Sequence, residues 1–268
     1  MQILITGAAG WTAAAIIEAV RRAGHDVIAF DLPGAGCNAP EMRQVGTIAG
    51  DVASFADVAG AMRSADAVIH LAVAVEEGAY RSPGAPFAVN VLGTYNVFEA
   101  ARRAEVGRVV LMSEAAVHVP WEPGEWLEAE DDWRSDPGED HLYDLTKRLQ
   151  EEIARDFCAT FPMTAVVLRA GHIVDGKAGV DPRGCPLEAV DYARGGWVCR
   201  YDLAEACVRA LTLATTGYTA FHVIGSRESS RRFDVERTER ALGLRFDSRF
   251  ERYGKPASEV VPDPGWTA

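Results

Sequence analysis

The sequence lacks a Cys-x-x-Cys pair, and its five cysteines, Cys37, Cys158, Cys185, Cys199 and Cys207, are an odd number. That argues against a disulfide framework and for a reduced, cytoplasmic protein. Its six histidines (His25, His70, His118, His141, His172 and His222) are scattered without metal-ligand spacing, so no metal is expected. Basic charge is also short: 27 Lys and Arg against 39 Asp and Glu leave a formal charge of −12. Such a balance disfavours a phosphate backbone as partner, and no nucleic acid is expected. No apolar run is long enough to span a bilayer, so no membrane partner is expected. The first strand is read from Met1 or Gln2, which leaves no room before it for a signal peptide.

What is present is a 268-residue chain, 48% apolar, in which short apolar runs alternate with helical periods. Residues 2–6, 26–30, 45–49, 67–71, 108–113 and 164–169 read as strands. Residues 11–23, 54–63, 87–104 and 141–161 read as helices. This alternation predicts βαβ units, hence a Rossmann-type, doubly wound parallel sheet of the α/β class. After Arg169 the rhythm loosens through a Gly-, Pro- and Asp-rich stretch. Asp202 is expected to cap a helix over 202–213, followed by a strand at 219–224 and a helix at 233–242. The expected division is a core over 1–169 and a small C-terminal substrate lobe over 170–268, continuous with it.

The first strand runs into Gly7-Ala8-Ala9-Gly10-Trp11-Thr12-Ala13. Small residues between a strand and a helix let the backbone approach a pyrophosphate, which the helix N-terminus then holds. Ala13 fills the last small-residue slot. Asp31 ends the second strand, where a carboxylate accepts hydrogen bonds from the adenosine ribose and repels a 2′-phosphate. With no Arg or Lys between Asp31 and Arg43, this selects NAD over NADP. Asp31 as a plain turn residue is the alternative.

Tyr143 and Lys147 are four apart on a helix and share a face. They stand apart from most of the apolar stripe formed by Leu142, Leu145, Leu149, Ile153, Phe157 and Phe161. An ammonium beside a phenol favours the phenolate and makes tyrosine a usable acid or base near neutral pH.

Together with GDV at 50–52, HLAV at 70–73, NVLGTYNVFEAAR at 90–102, VVLMSEAAVH at 109–118, YDLTK at 143–147 and LRAGHIV at 168–174, these motifs resemble the extended short-chain dehydrogenase/reductase family of NAD-dependent epimerase/dehydratase type. The resemblance covers about residues 1–225. It implies that Asp51 and Val52 border the adenine and that Leu71, Ala72 and Val73 line the cofactor cleft. It also implies that Asn90 supports the structure behind the chemistry and that His172 lies near the nicotinamide. Tyr143 is then the acid/base, and Lys147 its modulator and a ligand of the nicotinamide ribose.

One departure stands out. Where the family has a Ser-Ser pair closing the fifth strand, this chain has Ser113-Glu114, and ungapped alignment puts Glu114 in the catalytic slot. The reading favours a contribution from Ser113, keeps Glu114 as its rival, and leaves open that neither touches substrate. His118 and Val119 also depart from the family's tyrosine and glycine. The tryptophan-bearing acidic loop 119–140 reads either as a lid or as a solvated loop.

The expected reaction is hydride transfer between NAD and a hydroxyl of a small sugar, sugar acid or polyol. The compact length and the WVCRYD stretch are similar to uronate dehydrogenases, and Arg169, Arg183, Arg194 and Arg200 are candidates to meet a carboxylate. The alternatives are a nucleotide-sugar epimerase or dehydratase that retains NAD, and a non-catalytic NAD sensor. The resemblance also implies a homodimer paired through the helices at 87–104 and 143–161, although those apolar faces could equally pack within one copy.

Overall fold

The computed structural model describes residues 1–35, 45–74, 82–115, 141–190, 196–225, 233–246 and 250–253. Seven parallel strands form the main sheet: β1 (Gln2–Thr6), β2 (Asp26–Asp31), β3 (Thr47–Ala49), β4 (Ala67–His70), β5 (Arg108–Glu114), β6 (Thr164–Ala170) and β9 (Gly217–Val223). Their order is β3-β2-β1-β4-β5-β6-β9. The helices are α1 (Trp11–Arg22), α2 (Phe55–Met62), α3 (Gly93–Arg103), α4 (His141–Thr160), α5 (Arg200–Thr212) and α6 (Val235–Leu242). A separate pair, β7 (His172–Val174) and β8 (Trp197–Cys199), runs parallel beside the main sheet.

The central strands are near-continuous apolar runs because helices cover both faces of the sheet. Side chains alternate between the two layers. Ile3 and Ile5 of β1 pack with Ile16, Val20, Leu203 and Ala210 from α1 and α5. Leu4, between them, packs on the other face with Val97, Phe98 and Ala154 from α3 and α4. Strand order reverses between β1 and β4, which opens a crevice at the carboxyl ends of those strands, the usual ligand position in such sheets.

Three expectations need correction. The helix expected over 87–104 is two pieces: a π-helical turn, Phe87–Leu92, leads into α3. The wider turn lets the buried Asn90 amide serve two other segments, described below. Asp202 is not the cap of α5, which begins at Arg200 behind Cys199 with no side-chain cap bond. Asp202 lies in the first turn instead, where its charge still suits the helix dipole. Finally, the segment after Arg169 is shared between core and periphery. α5 packs its small residues against α1 in one core layer, and β9 pairs with β6 along its length, giving Phe221 and Val223 to that layer and Ala220 to the other. What stands outside is the β7–β8 pair, with Val174, Leu187, Trp197 and Phe250 in its own cluster.

A buried ionic cluster ties the far side of the sheet to α4. Glu151 of α4 is 1% exposed and Arg169 of β6 is 0% exposed. Arg169 donates to the carboxylate from Nε (3.0 Å to Oε1) and Nη2 (2.7 Å to Oε2). Tyr218 of β9 donates to Oε2 at 2.7 Å, and Ser113 of β5 donates to Oε1. The guanidinium and the two hydroxyls hold the Glu151 carboxyl below the ordinary range despite its burial. Removing the anion would strand a buried guanidinium. Glu151→Ala is therefore expected to cost about 3–5 kcal/mol of stability, read as a lowered urea midpoint. A loss under about 1 kcal/mol would show that the cluster carries no such strain.

Candidate active site

The glycine turn lies at the carboxyl end of β1. Gly7 has φ +70°, and a Cβ there would sit 2.8 Å from the Ala72 nitrogen. Glycine is needed both for the backbone angle and for this close approach of the chain after β4. Gly10 N–H donates to the Gly7 carbonyl at 3.1 Å, and Trp11 and Thr12 open α1. No side chain caps the helix at Gly10, so the N–H groups of its first turn face the crevice mouth available to an anion.

The cleft beside this turn has a volume of about 330 Å³ and is lined by Gly7, Gly10, Asp31, Asp51, Val52, Leu71, Ala72 and Val73. Asp31 has a second duty. Its Oδ2 accepts from Ala9 N–H and its Oδ1 from Leu32 N–H, both at 2.7 Å, so the carboxylate also braces the glycine turn. Asp51 Oδ1 accepts from Ala53 N–H at 2.8 Å, which shapes the turn before α2. The Val52 carbonyl accepts from Asn96 Nδ2 at 2.9 Å. A bare backbone at an open helix start, an acidic residue closing β2 and an apolar slot fit a dinucleotide with a free ribose 2′-hydroxyl.

Behind the cleft, a hydrogen-bond chain joins the first strand to α4. Thr94 of α3 gives its hydroxyl proton to the Asn90 carbonyl at 2.6 Å. His70 Nε2 must then donate to Thr94 Oγ1 (3.0 Å), and His70 Nδ1 must accept from Thr6 Oγ1 (2.6 Å). Thr6 Oγ1 in turn accepts from the N–H groups of Leu71 and Ala72, both at 3.3 Å. Burial first, and Lys147 second, push the His70 imidazole down to about 3, so it stays neutral and keeps this tautomer. Asn90, 0% exposed, accepts from Ala74 N–H (2.7 Å) and donates to Thr146 Oγ1 (2.9 Å) on α4. Thr146 donates to the Tyr143 carbonyl at 3.0 Å. Asn90 is thus a strut between cleft and helix.

Tyr143, Lys147 and Glu151 occupy successive turns of one face of α4. Lys147 is 3% exposed, its Nζ donates to the Met112 carbonyl at 2.7 Å, and it lies 5.8 Å from the centre of the Tyr143 ring. Burial lowers the lysine from its usual 10.5 to about 8, while the carboxylates of Glu114 and Glu151 act the other way. Ser113, 3% exposed, is committed to Glu151. Glu114, next along β5, is half-buried and close enough to favour the charged lysine.

His172 is half-buried at the start of β7, and its buried Nε2 has no hydrogen-bond partner among the described residues. Burial lowers its pKa, with Asp181 opposing and Arg183 adding to the shift. Of the arginines expected to meet a carboxylate, Arg169 is a correction: it is buried against Glu151. Arg183 is exposed, and Arg200 lies over the Trp11 ring. Arg194, His118, Val119 and the loop 119–140 lie outside the described residues. Among those described, no three His, Cys, Asp or Glu residues form a metal-binding group, and no helix is long and apolar enough to cross a membrane.

Sequence reasoning missed His70, Thr94, Thr146 and Glu151 as site supports. Glu151 had a signal: it continues the Tyr143–Lys147 spacing by one more turn. Arg169 had another, as a charge inside an otherwise apolar strand.

2-Alkyl-3-oxoalkanoate reductase from Stenotrophomonas maltophilia is 35% identical over 134 residues, 49% of this chain. The chain covers only 39% of that protein's length. L-Arabinose 1-dehydrogenase (NAD(P)(+)) from Haloferax volcanii is 25% identical over 252 residues, 91% of this chain and 95% of that protein. The solved structure of a mutated uronate dehydrogenase superposes with a TM-score of 0.75 at 24% identity, covering 98% of this chain and 89% of its own. A short-chain dehydrogenase/reductase superfamily protein from Agrobacterium tumefaciens with bound NAD gives a TM-score of 0.74 at 22% identity, covering 94% of each chain. These two structures show a shared fold. The model of the NAD dependent epimerase/dehydratase family matches residues 3–177. The chain belongs to that family, whose cofactor is NAD.

Proposed function

We propose that the protein is an oxidoreductase that transfers a hydride between NAD and a hydroxyl of a small sugar, sugar acid or polyol. The observation that carries this reading is the buried Lys147 on the same helical face as Tyr143, at the carboxyl end of β5. The Haloferax relative, a sugar dehydrogenase matched over 95% of its length, supports the substrate class. So does uronate dehydrogenase from Pseudomonas syringae, 24% identical and matched over 76% of its length. The epimerase alternative has less support: UDP-glucose 4-epimerase from Azospirillum brasilense is matched over 53% of its length.

In this reading the first turn of α1 binds the diphosphate, and Asp31 accepts from the adenosine ribose hydroxyls. When bound, the nicotinamide supplies the hydride acceptor. Tyr143 takes the proton from the substrate hydroxyl. Lys147 holds a positive charge beside the phenolate and reaches the nicotinamide ribose. Ser113 donates to Glu151, and in this reading the carboxylate of Glu114, next along β5 and near Lys147, accepts a substrate hydroxyl. The β7–β8 pair outside the main sheet borders the substrate side, with His172 at its edge. Four described cysteines, Cys158, Cys185, Cys199 and Cys207, are free, in keeping with a cytoplasmic protein. A homodimer joined along α3 and α4 belongs to the same proposal, supported by the exposed Phe87, Leu92 and Tyr95.

The test is net NADH formation across a panel of free sugars, sugar acids and polyols. Turnover of at least one is expected, with Tyr143→Phe lowering kcat by roughly 100-fold or more. A variant within about threefold of the parent would remove Tyr143 from the acid/base role. Glu114 has its own signature. Because it favours the charged form of Lys147, Glu114→Gln should lower the lysine pKa further below about 8. The alkaline limb of the kcat/KM profile, where Lys147 loses its proton, should then move to lower pH. An unmoved or rising limb would contradict the coupling.

A further inference from the structure

The chain that follows β7 makes two successive loops, each organised by an aspartate. Asp175 Oδ1 accepts from the N–H groups of Lys177 (3.0 Å) and Ala178 (2.8 Å), and the Asp175 carbonyl accepts from Gly179 N–H at 2.8 Å. Asp181 Oδ1 accepts from the N–H groups of Arg183 (2.9 Å) and Cys185 (2.8 Å). The Gly176 carbonyl is held from much farther along the chain. It accepts from the Tyr253 hydroxyl at 2.7 Å and from Arg252 Nη2. Both donors belong to one 3-10 turn, Phe250–Tyr253. The Tyr253 ring lies against the backbone of Gly179, which has φ +73° and whose added Cβ would sit 2.9 Å from Tyr253 Cε1. A side chain at 179 would meet both the backbone penalty and the ring.

The same 3-10 turn completes the core of the β7–β8 pair. Two strands of three residues each are marginal on their own. Phe250, 2% exposed, meets the buried Trp197 edge to face with ring centres 5.5 Å apart, and joins Val174, Leu187 and Cys199. Phe250 thus anchors the segment in that core, while Tyr253 and Arg252 grip the loop at Gly176. The gripped loops carry Asp181 and Arg183, and the charges of both act on His172. The cofactor cleft does not share these contacts, since its lining comes from residues between Gly7 and Val89.

We propose that Tyr253, anchored through Phe250, is a positioning residue for substrate: it clamps the loops over 175–185 and so fixes Asp181 and Arg183 near His172. Loops already held in place cost less to order when substrate binds, and that saving appears in substrate affinity. The substrate role rests on the dehydrogenase reading; the clamp itself does not.

The experiment compares the parent protein with Tyr253→Ala and Tyr253→Phe, each checked for a native circular dichroism spectrum. Amide hydrogen exchange is followed at Gly179 and Val180, with residues 2–31 as control. In Tyr253→Ala, exchange at the two amides is expected to rise about tenfold or more while the control stays within about twofold. Tyr253→Phe keeps the ring and should show a smaller rise. Turnover is then measured with the best sugar, sugar acid or polyol of the parent. In Tyr253→Ala its KM should rise about tenfold, with kcat within about threefold and the Kd of NAD within about twofold, and Tyr253→Phe should recover part of the loss. If the parent turns over nothing on the panel, the dehydrogenase reading fails, and exchange alone decides the clamp. Should Tyr253→Ala fail to fold, Tyr253→Phe is read in its place, with exchange at least about threefold faster expected from the lost hydroxyl bond. The proposal is overturned if exchange at Gly179 and Val180 moves by less than about twofold, if the control amides rise equally, or if exchange rises with KM unchanged.

Discussion

Lys147 carries an ammonium into the protein interior, and much of the site follows from how that charge is held. It donates to the carbonyl of Met112, so β5 fixes its position. Burial works against the charged form, and the carboxylates of Glu114 and Glu151 work for it. The balance leaves the group poised near neutrality, where a small change in its surroundings alters its charge. In the proposed reaction that is a useful state beside Tyr143, which would gain and lose a proton.

The same face of α4 explains the altered serine pair. Glu151 needs partners to stay ionised in the core, and it draws them from three strands: Ser113 of β5, Arg169 of β6 and Tyr218 of β9. This commits Ser113 to the interior and leaves Glu114 as the polar group at the end of β5. On the cofactor side, Thr6, His70, Thr94, Asn90 and Thr146 form an unbroken relay from the strand under the glycine turn to the backbone of Tyr143. The cleft beside the glycine turn and α4 are thus parts of one hydrogen-bonded frame. Its members are neutral, so the frame keeps its geometry across the pH range in which Lys147 titrates.

The elements that local sequence could reveal were the central strands, the glycine turn and the Tyr143–Lys147 spacing. Each rests on residues near one another in the chain: an apolar run, a strand-to-helix turn, one helical face. Asp31 was legible as a carboxylate closing β2, but its brace on Ala9 was not, because that bond depends on how β1 and β2 lie side by side. The direction of Ser113 and the partner of Arg169 were hidden for the same reason. Both meet Glu151 across 38 and 18 residues of chain. The π-helical turn at Phe87–Leu92 was read as ordinary helix because its apolar residues fit either period; what selects it is the reach of Asn90 to Ala74 and Thr146. β9 was assigned to the lobe because its place in the main sheet depends on β6, not on its own residues.

The central claim is that Lys147 is buried and its charge poised by its surroundings. The most direct measurement is an NMR titration of the isotopically labelled Lys147 side chain in the folded protein, assigned by comparison with Lys147→Arg. The account predicts a midpoint near 8, well below the ordinary 10.5. A midpoint at or above the ordinary lysine value would contradict it.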